Sequence, residues 1–308
     1  MLSSFSEQYC SYVSSRGLLK GCDIRSNVPQ SSASVLHSYN HELSDLPSGT
    51  ATTTTTTIYV CSSAIKDFMR HVHAINYRFI LVSGDSDTTI PNGVLSDAEF
   101  NLFMANDNLV HWYSQNCISD HPKMTRIPIG MDYHSIAAGK PEWGRVITPV
   151  EQEGELDIII ASAAPVCQRK IKCYVNFHFS IYPESPFEYL RGDVIADVSP
   201  DLVYYEEAFM KRADSWRKQV GYAFVLSPHG MGLDCHRTWE AILLGCIPIV
   251  RKSAIDSLYE DLPVLIVEQW SDITQALLEE TIALFGRTVF SYNKLTMKYW
   301  MKKILEHK

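Results

Sequence analysis

Two short apolar runs on either side of an amphipathic segment, in the C-terminal half of the chain, predict a strand, a helix and a second strand. The runs have the length of buried parallel strands and lie at 223–226 and 247–250. Between them, residues 235–244 repeat apolar side chains at helical spacing, and Gly245 stands where a helix C-terminal cap is expected. The segment is therefore predicted to be a βαβ unit.

Similar patterns recur along the rest of the chain, where short apolar or β-branched runs alternate with amphipathic segments. Further strands are predicted at 58–61, 78–83, 109–114, 125–130, 157–161, 172–179 and 263–267. Further helices are predicted at 64–76, 96–104, 204–219, 271–284 with Ser271 as its cap, and 292–305. Strands that alternate with helices indicate an α/β fold with parallel sheets.

Three segments interrupt this alternation. Residues 1–49 are rich in serine without clear periodicity and are predicted to be an irregular segment with one or two short elements. The threonine run 52–57 is predicted to lead into the first strand. Residues 138–154 contain three glycines and two prolines, a composition typical of a linker between domains. We therefore predict two α/β domains, at 1–145 and 146–288, and a C-terminal helical segment at 289–308.

Composition narrows the class of protein. With 308 residues, of which 46% are hydrophobic and 20% charged, the chain is typical of a globular protein with a sizeable core. A net charge of −8 argues against a general nucleic-acid-binding function, which needs a basic face. No apolar run approaches the ~20 residues of a membrane span, and residues 1–12 lack the pattern of a signal peptide. The eight cysteines are scattered, so free thiols in a reducing compartment are expected.

The turn between the two C-terminal strands carries chemistry suited to an anion. Gly230 and Gly232 allow a tight turn and a close backbone approach to a ligand, and the following helix N-terminus offers unpaired N–H groups. On one helical face, His236, Arg237 and Glu240 supply an imidazole, a guanidinium and a carboxylate, which suit a phosphate and a sugar hydroxyl. The alternative is an ordinary surface face on which Arg237 and Glu240 form an exposed ion pair.

Two carboxylates follow the clearest strand of the N-terminal half. Asp85 and Asp87 lie in the sequence G-D-S-D at the carboxyl end of that strand, where ligands collect in open α/β sheets. They are candidate catalytic carboxylates, with Asp85 as the first choice and Asp87 as the second. Two alternatives stay open: an Asx turn or helix cap, and an Asp-x-Asp pair that binds a metal ion.

A longer run of residues around the C-terminal turn supports a more specific hypothesis. The run is S-P-H-G-M-G-L-D-C-H-R-T-W-E-A-I-L-L-G-C-I-P-I-V, and L-Y-E-D-L-P-V-L-I-V follows it after a short gap. Over residues 227–274 the chain resembles the exostosin-like glycosyltransferases, among them the small soluble xylosyltransferases of large algal viruses. The resemblance implies a GT-B fold, in which two Rossmann-like domains face each other across a cleft and the final helix crosses back to the N-terminal domain.

The resemblance also implies a reaction and a set of site residues. The reaction is an inverting sugar transfer, with UDP-xylose as the expected donor, a glycan hydroxyl as the acceptor and Asp85 as the base. Arg237 and His229 are expected to stabilise the leaving diphosphate without a metal or other cofactor. The expected donor-binding residues are Asn176, His178, Ser227, His229, Gly230, Gly232, Asp234, Arg237, Thr238, Glu240, Arg251 and Ser253. The expected acceptor-side residues are Asp132 and His134, and Arg191 is a further phosphate candidate.

Three other hypotheses stay open. The chain could be a nucleotide-sugar-binding or glycan-binding module without catalysis, or a transferase that binds manganese through Asp85 and Asp87. An oxidoreductase that binds a dinucleotide at the Gly-x-Gly turn is disfavoured, because no acidic residue is convincingly placed after a following strand. Composition and resemblance together predict a protein of the cytoplasm, including that of a virus-infected host cell, with no membrane span and no nucleic-acid partner.

Overall fold

The computed structural model describes residues 4–25, 55–137, 139, 143–177, 191–206 and 208–308. The chain divides into two compact units. The five-stranded unit comprises Met1–Tyr12, Gly130–Met231 and Cys235–Leu295, and the four-stranded unit comprises Val13–Ile129, Gly232–Asp234 and Thr296–Lys308. The domain limits 1–145, 146–288 and 289–308 stay predictions, because a compact group of contacts is not by itself a separately folding domain.

The described residues hold nine strands in two sheets. They are β1 Thr56–Cys61, β2 Phe79–Gly84, β3 Leu109–Ser114, β4 Met124–Arg126, β5 Lys170–Val175, β6 Val203–Tyr205, β7 Tyr222–Leu226, β8 Ile247–Arg251 and β9 Leu265–Val267. The strand orders are β1-β2-β3-β4 and β6-β5-β7-β8-β9, and every pairing is parallel. The predicted α/β fold with parallel sheets is confirmed.

Ten α-helices accompany these strands in the described part of the chain. They are α1 Ser15–Gly21, α2 Ile65–His71, α3 Asp97–Met104, α4 His134–Ala137, α5 Pro149–Ser162, α6 Arg191–Asp197, α7 Arg212–Gln219, α8 His236–Leu243, α9 Gln275–Phe285 and α10 Met297–Leu305. Ser96 and Glu99 form a capping box that starts α3 at its predicted place. None of these helices combines the length and the apolar character needed to cross a membrane.

The strand predicted at 157–161 is wrong, because these residues belong to α5. Thr148 and Glu151 form a capping box, and Pro149 occupies the first helical position, so the helix is already established upstream of the apolar run. The exposed Gly154 does not end it. A run of isoleucines has strong strand propensity, but here the capping box formed by Thr148 and Glu151, upstream of the run, decides the structure.

Three other predicted elements differ in extent. The strand predicted at 125–130 ends with β4 at Arg126, because Pro128 has no N–H for a sheet and Gly130 has a φ of +64°. The helix predicted at 271–284 starts later than expected. Thr274 rather than Ser271 caps α9, accepting from the Leu277 N–H at 3.2 Å. The helix predicted at 204–219 is confirmed only from the start of α7, since its first residues belong to β6.

Buried apolar side chains of the strands form a core in each unit. In the four-stranded unit, Ile58, Leu81 and Trp112 are fully buried in one cluster. In the five-stranded unit, Phe224 and Ile249 lie in another. Burial of each such side chain contributes about 1.5–3 kcal/mol to the stability of the fold. The apolar runs of the strands therefore determine where both cores lie.

The last helix, α10, belongs to the four-stranded unit. Its Trp300 and Ile304 are buried, and the hydroxyl of Tyr113 in β3 donates to the carbonyl of Lys303 at 2.7 Å. Trp300 and Ile304 therefore anchor α10 in the core of this unit.

The predicted βαβ unit is present in the five-stranded unit. β7 and β8 pair in parallel, with Phe224 opposite Ile247, and α8 lies between them in the chain. Gly245 follows the helix with a φ of +69°, a conformation in which a residue with a Cβ is strained. A Cβ there would also lie 3.0 Å from Nη2 of Arg169. The cap predicted at Gly245 is confirmed.

Replacing Gly245 by alanine is expected to lower the free energy of unfolding by about 1–2 kcal/mol, because the left-handed backbone becomes strained. Gly154→Ala is the matched control. Its added methyl group meets no atom within 4 Å, and alanine in an exposed helix interior is favoured over glycine by about 0.5–1 kcal/mol. Urea denaturation of both variants measures the difference, and equal changes in the two would contradict the assignment.

Candidate functional site

The turn after β7 holds two arginine side chains close to backbone carbonyls. Arg237, in the first turn of α8, donates from Nη1 to the carbonyl of Pro228 at 3.2 Å. Arg191, at the start of α6, donates from Nε to the carbonyl of His229 at 3.5 Å. Gly230 leaves room for this arginine, since a Cβ there would lie only 3.1 Å from its Nη2. We call Arg191 and Arg237 the arginine pair.

Both members of the arginine pair lie against the buried ring of Phe177. The guanidinium carbons of Arg237 and Arg191 are 5.1 and 5.9 Å from the ring centroid, within the range of a cation–π interaction. Burial lowers the pKa of Arg237, and the like charge of Arg191 acts in the same direction, while Cys235 and Glu240 oppose them. An anion at this turn would relieve the repulsion between two like charges.

Three charged side chains of the five-stranded unit form a second group, which we call the buried charge cluster: Asp132, Arg212 and Glu240. Nη2 of Arg212 lies 2.7 Å from Oδ2 of Asp132, and its Nε lies 4.0 Å from Oε1 of Glu240. Arg212 also donates to the backbone carbonyl of Asp132. The other oxygen of Glu240 accepts from Nε1 of Trp216 at 3.1 Å. No residue of the cluster is more than 9% exposed.

The charges of the cluster stabilise one another. Burial by itself would raise the pKa of Asp132, but Arg212, with smaller contributions from His134 and His236, holds that pKa well below its usual range. Burial likewise disfavours the charge of Arg212, while Asp132 and Glu240 raise its pKa above the usual value. Asp132 and Arg212 are therefore both charged near neutral pH, and each depends on the other for that state.

Two imidazoles lie beside the buried charge cluster. Nδ1 of His134 lies 3.0 Å from Oδ1 of Asp132, which also accepts the Ser135 N–H at 3.0 Å. Nδ1 of His236 lies 2.6 Å from the carbonyl oxygen of Gly130. The ring centroids are 5.9 Å apart. Because each Nδ1 faces an oxygen acceptor, each neutral ring carries its proton on Nδ1, and Nε2 is the basic nitrogen.

Several predicted donor-binding residues make contacts within the protein. The hydroxyls of Ser227 and Thr238 are 2.8 Å apart, and both residues are buried. Nδ2 of Asn176 donates to Oε1 of Gln219 at 3.4 Å, while its Oδ1 is buried with no partner among the described residues. His178 lies outside the described residues. The donor-binding role of this group stays a prediction.

The two predicted residues at the end of β8 are also engaged. Nε of Arg251 donates to the carbonyl of Glu268 at 2.8 Å. The Ser253 N–H donates to Oδ1 of Asp256 at 3.0 Å. These contacts shape the backbone after β8, and the donor-binding role of Arg251 and Ser253 stays a prediction.

Gly232 and Asp234 have close neighbours in the four-stranded unit. A Cβ on Gly232 would lie 2.9 Å from Nδ2 of Asn116 and 3.1 Å from the carbonyl oxygen of Asp87. The carboxylate of Asp234 is buried and accepts the Ile129 N–H at 2.7 Å. Gly232 is therefore required for a close approach between segments of the chain itself, and this requirement explains the glycine without any ligand.

Asp85 follows β2 with a φ of +55°, which aspartate tolerates better than most residues. Its N–H donates to Oγ of Ser15 and to Oε1 of Gln115, both at 2.9 Å. Its Oδ1 accepts from Nε of Arg16 at 3.3 Å, and both side chains are 10% exposed. Asp87 is exposed. Asp85 is thus a carboxylate held next to a cation, and the base role of either residue stays a prediction.

Sequence reasoning did not anticipate Arg212, Trp216 or Arg16. Arg212 and Trp216 stand four residues apart and share a face of α7, but this spacing alone indicates no partner. Their partners Asp132 and Glu240 are 80 and 24 residues away in the chain. No local sequence pattern links positions so far apart in the chain. These residues are identified only by their contacts in the folded protein.

Comparisons with known proteins assign no family to the chain. No protein-family model matches it, and no curated protein matches it significantly. Among the described residues, no group of three or more His, Cys, Asp or Glu side chains is placed to hold a metal ion. What the site can do must therefore be inferred from the arginine pair, the buried charge cluster and the two imidazoles.

Proposed function

We propose that the protein is an inverting glycosyltransferase of the GT-B class that takes a sugar from a nucleotide-sugar donor and passes it to a hydroxyl group of a glycan. UDP-xylose is the first candidate donor. The resemblance of residues 227–274 to exostosin-like glycosyltransferases supports the reaction class. Two parallel α/β sheets are compatible with the GT-B class.

The observation that carries the proposal is the arginine pair at the turn after β7. A diphosphate presents several anionic oxygens, and guanidinium groups recognise such oxygens with paired, charge-assisted hydrogen bonds. The N-terminus of α8 adds unpaired N–H groups and a partial positive charge at the same turn. Cation–π contacts with Phe177 position both guanidinium groups, so the proposed anion site is preorganised before a ligand binds.

In the proposed reaction, the acceptor hydroxyl oxygen forms a bond with C1 of the sugar while the bond from C1 to the diphosphate breaks. The electron pair of the broken bond stays on the departing UDP, where the arginine pair stabilises it. The hydroxyl proton passes to a base. Asp85 is the base that the sequence suggests. Base catalysis needs its charged, unprotonated carboxylate, which is the form that the contact with Arg16 favours.

A thermal-shift screen tests the donor class. UDP-xylose, UDP-glucose, UDP-galactose, UDP-N-acetylglucosamine, GDP-mannose and GDP-fucose are added separately to the protein, and release of the nucleoside diphosphate is measured in parallel. A donor at about 100 times its Kd stabilises the fold by about 2.7 kcal/mol. We expect UDP-xylose to give the largest rise in Tm and to release UDP with EDTA present.

Each other result points to a different function. A protein that no nucleotide sugar stabilises would refute the proposal. Stabilisation by a donor without release of UDP, in the presence of glycan acceptors, would indicate a binding module. Turnover that EDTA abolishes and manganese restores would favour the metal-binding alternative for Asp85 and Asp87.

A further inference from the structure

His134 and Asp132 form an imidazole–carboxylate pair whose geometry is fixed from several sides. Oδ1 of Asp132 faces Nδ1 of His134 at 3.0 Å and accepts the Ser135 N–H. Oδ2 accepts from Arg212 at 2.7 Å. Because both carboxylate oxygens are engaged, Asp132 cannot rotate without losing a hydrogen bond, and the imidazole it faces keeps one orientation.

This pair is built to accept a proton at Nε2. The hydrogen bond to Asp132 places the proton of the neutral ring on Nδ1 and leaves the lone pair on Nε2. Asp132 is ionised near neutral pH, because Arg212 and the neighbouring histidines outweigh the effect of its burial on its pKa. The negative charge of the Asp132 carboxylate, which faces Nδ1–H, stabilises the imidazolium that forms when Nε2 takes up a proton.

The direct partners of the two imidazoles differ. Nδ1 of His134 faces a carboxylate oxygen of Asp132, whose other oxygen accepts from Arg212. Nδ1 of His236 faces the backbone carbonyl of Gly130. The side chain of His134 is 27% exposed, enough for an acceptor to reach it.

Two neighbours connect the pair with a sugar-transfer site. His236, whose ring is 5.9 Å from that of His134, directly precedes Arg237 of the arginine pair in α8. On the other side, the guanidinium of Arg212 lies 5.6 Å from the ring centroid of Trp143, which Phe209 meets edge to face at 5.5 Å. The C–H faces of sugars pack on aromatic rings, and Phe209 is 54% exposed.

From this arrangement we infer that His134 is the base of the proposed sugar transfer and that Asp132 is its positioning residue, so the inference rests on the proposed function. Nε2 of His134 takes the proton of the acceptor hydroxyl as the oxygen bonds to C1 of the sugar. The bond from C1 to the diphosphate breaks, and its electron pair leaves with UDP. The imidazolium, stabilised by Asp132, returns its proton to water after product release.

A His134→Gly variant, with and without added imidazole, tests the inference. Release of UDP from UDP-xylose is measured with water or a methyl glycoside as the acceptor, and UDP binding is measured by calorimetry to show that the fold persists. Removal of the base should slow UDP release by about 10²–10⁴-fold. Added imidazole should then raise the rate of UDP release by the variant at least about tenfold. UDP affinity should stay within about twofold, since the imidazole does not bind the diphosphate in this scheme.

One control variant completes the experiment. His71→Ala removes an exposed histidine at the end of α2 and should release UDP at the rate of the unaltered protein. Loss of transfer in His134→Gly that imidazole does not restore, or a rate within about threefold of the unaltered protein, would overturn the inference. If the unaltered protein releases no UDP from any donor, the proposed function itself fails, and the inference with it.

Discussion

Replacing Arg212 by methionine is expected to lower the free energy of unfolding by about 3–5 kcal/mol. Methionine fills a similar volume but leaves the carboxylates of Asp132 and Glu240 buried without the cation they share. An uncompensated buried charge costs more than the ion pair contributed, because its hydration is not regained. Guanidinium denaturation followed by tryptophan fluorescence measures the change.

Arg217→Met is the matched control in the same helix. Arg217 pairs with Asp214 one turn away, and the two side chains are 57% and 54% exposed. An exposed pair of this kind contributes about 0–1 kcal/mol, so the control should unfold almost as the unaltered protein does. Similar losses in the two variants would contradict a special role for the buried charge cluster.

The pH dependence of the Arg212→Met variant should differ in a defined direction. In the unaltered protein the pKa of Asp132 lies well below its usual 3.8, so this residue stabilises the fold above pH 3.8 and loses that effect as the pH falls through the lowered pKa. In the variant, protonation of Asp132 removes an unpaired buried charge. The stabilities of the two proteins should therefore converge as the solution is acidified.

Replacing Arg237 by alanine is expected to weaken UDP binding by about 10–100-fold, the loss of one charge-assisted contact with phosphate. The ligand-free fold should keep its stability to within about 1 kcal/mol, because removal of one of two like charges offsets the lost hydrogen bond to Pro228. Isothermal titration with UDP, together with urea denaturation of the free protein, measures both quantities.

Arg287→Ala is the control for Arg237. Arg287 is exposed after the end of α9, where its Nε donates to the carbonyl of Ala283. Its removal makes the net charge more negative by the same amount without touching the turn after β7, so UDP affinity should not change. Equal weakening in the two variants would indicate a nonspecific effect of charge, and unaltered affinity in Arg237→Ala would refute the diphosphate site.

The sequence predicted most strands because their signal is local. Apolar runs such as those of β2, β3 and β7 are short, rich in β-branched or aromatic residues, and buried on both faces of parallel sheets. The same signal failed at 157–161, where the capping box at Thr148 had already started a helix. Local propensity therefore gave the right element wherever no stronger start signal preceded it.

The candidate site was predicted only in part. The candidate turn after β7 could be singled out because its glycines and Arg237 lie close together in the chain. Arg191 was only a further candidate, since its contact with the His229 carbonyl spans 38 residues. Glu240 was expected among the donor-binding residues, and this role stays a prediction. Its contact with Nε1 of Trp216 inside the five-stranded unit was not anticipated. The identity of a charged residue shows what it can bind, while its neighbours decide what it does bind.

The sequence by itself determined the alternation of strands and helices, the parallel sheets and the glycine that ends α8, because each depends on residues within one or two turns of one another. Only the tertiary structure decided that Asp132, Arg212 and Glu240 form one buried group with His134 beside it. Their contacts join segments as much as 80 residues apart. A buried charge is stable only beside its counter-charge, and that neighbour is supplied by the packing of the whole unit.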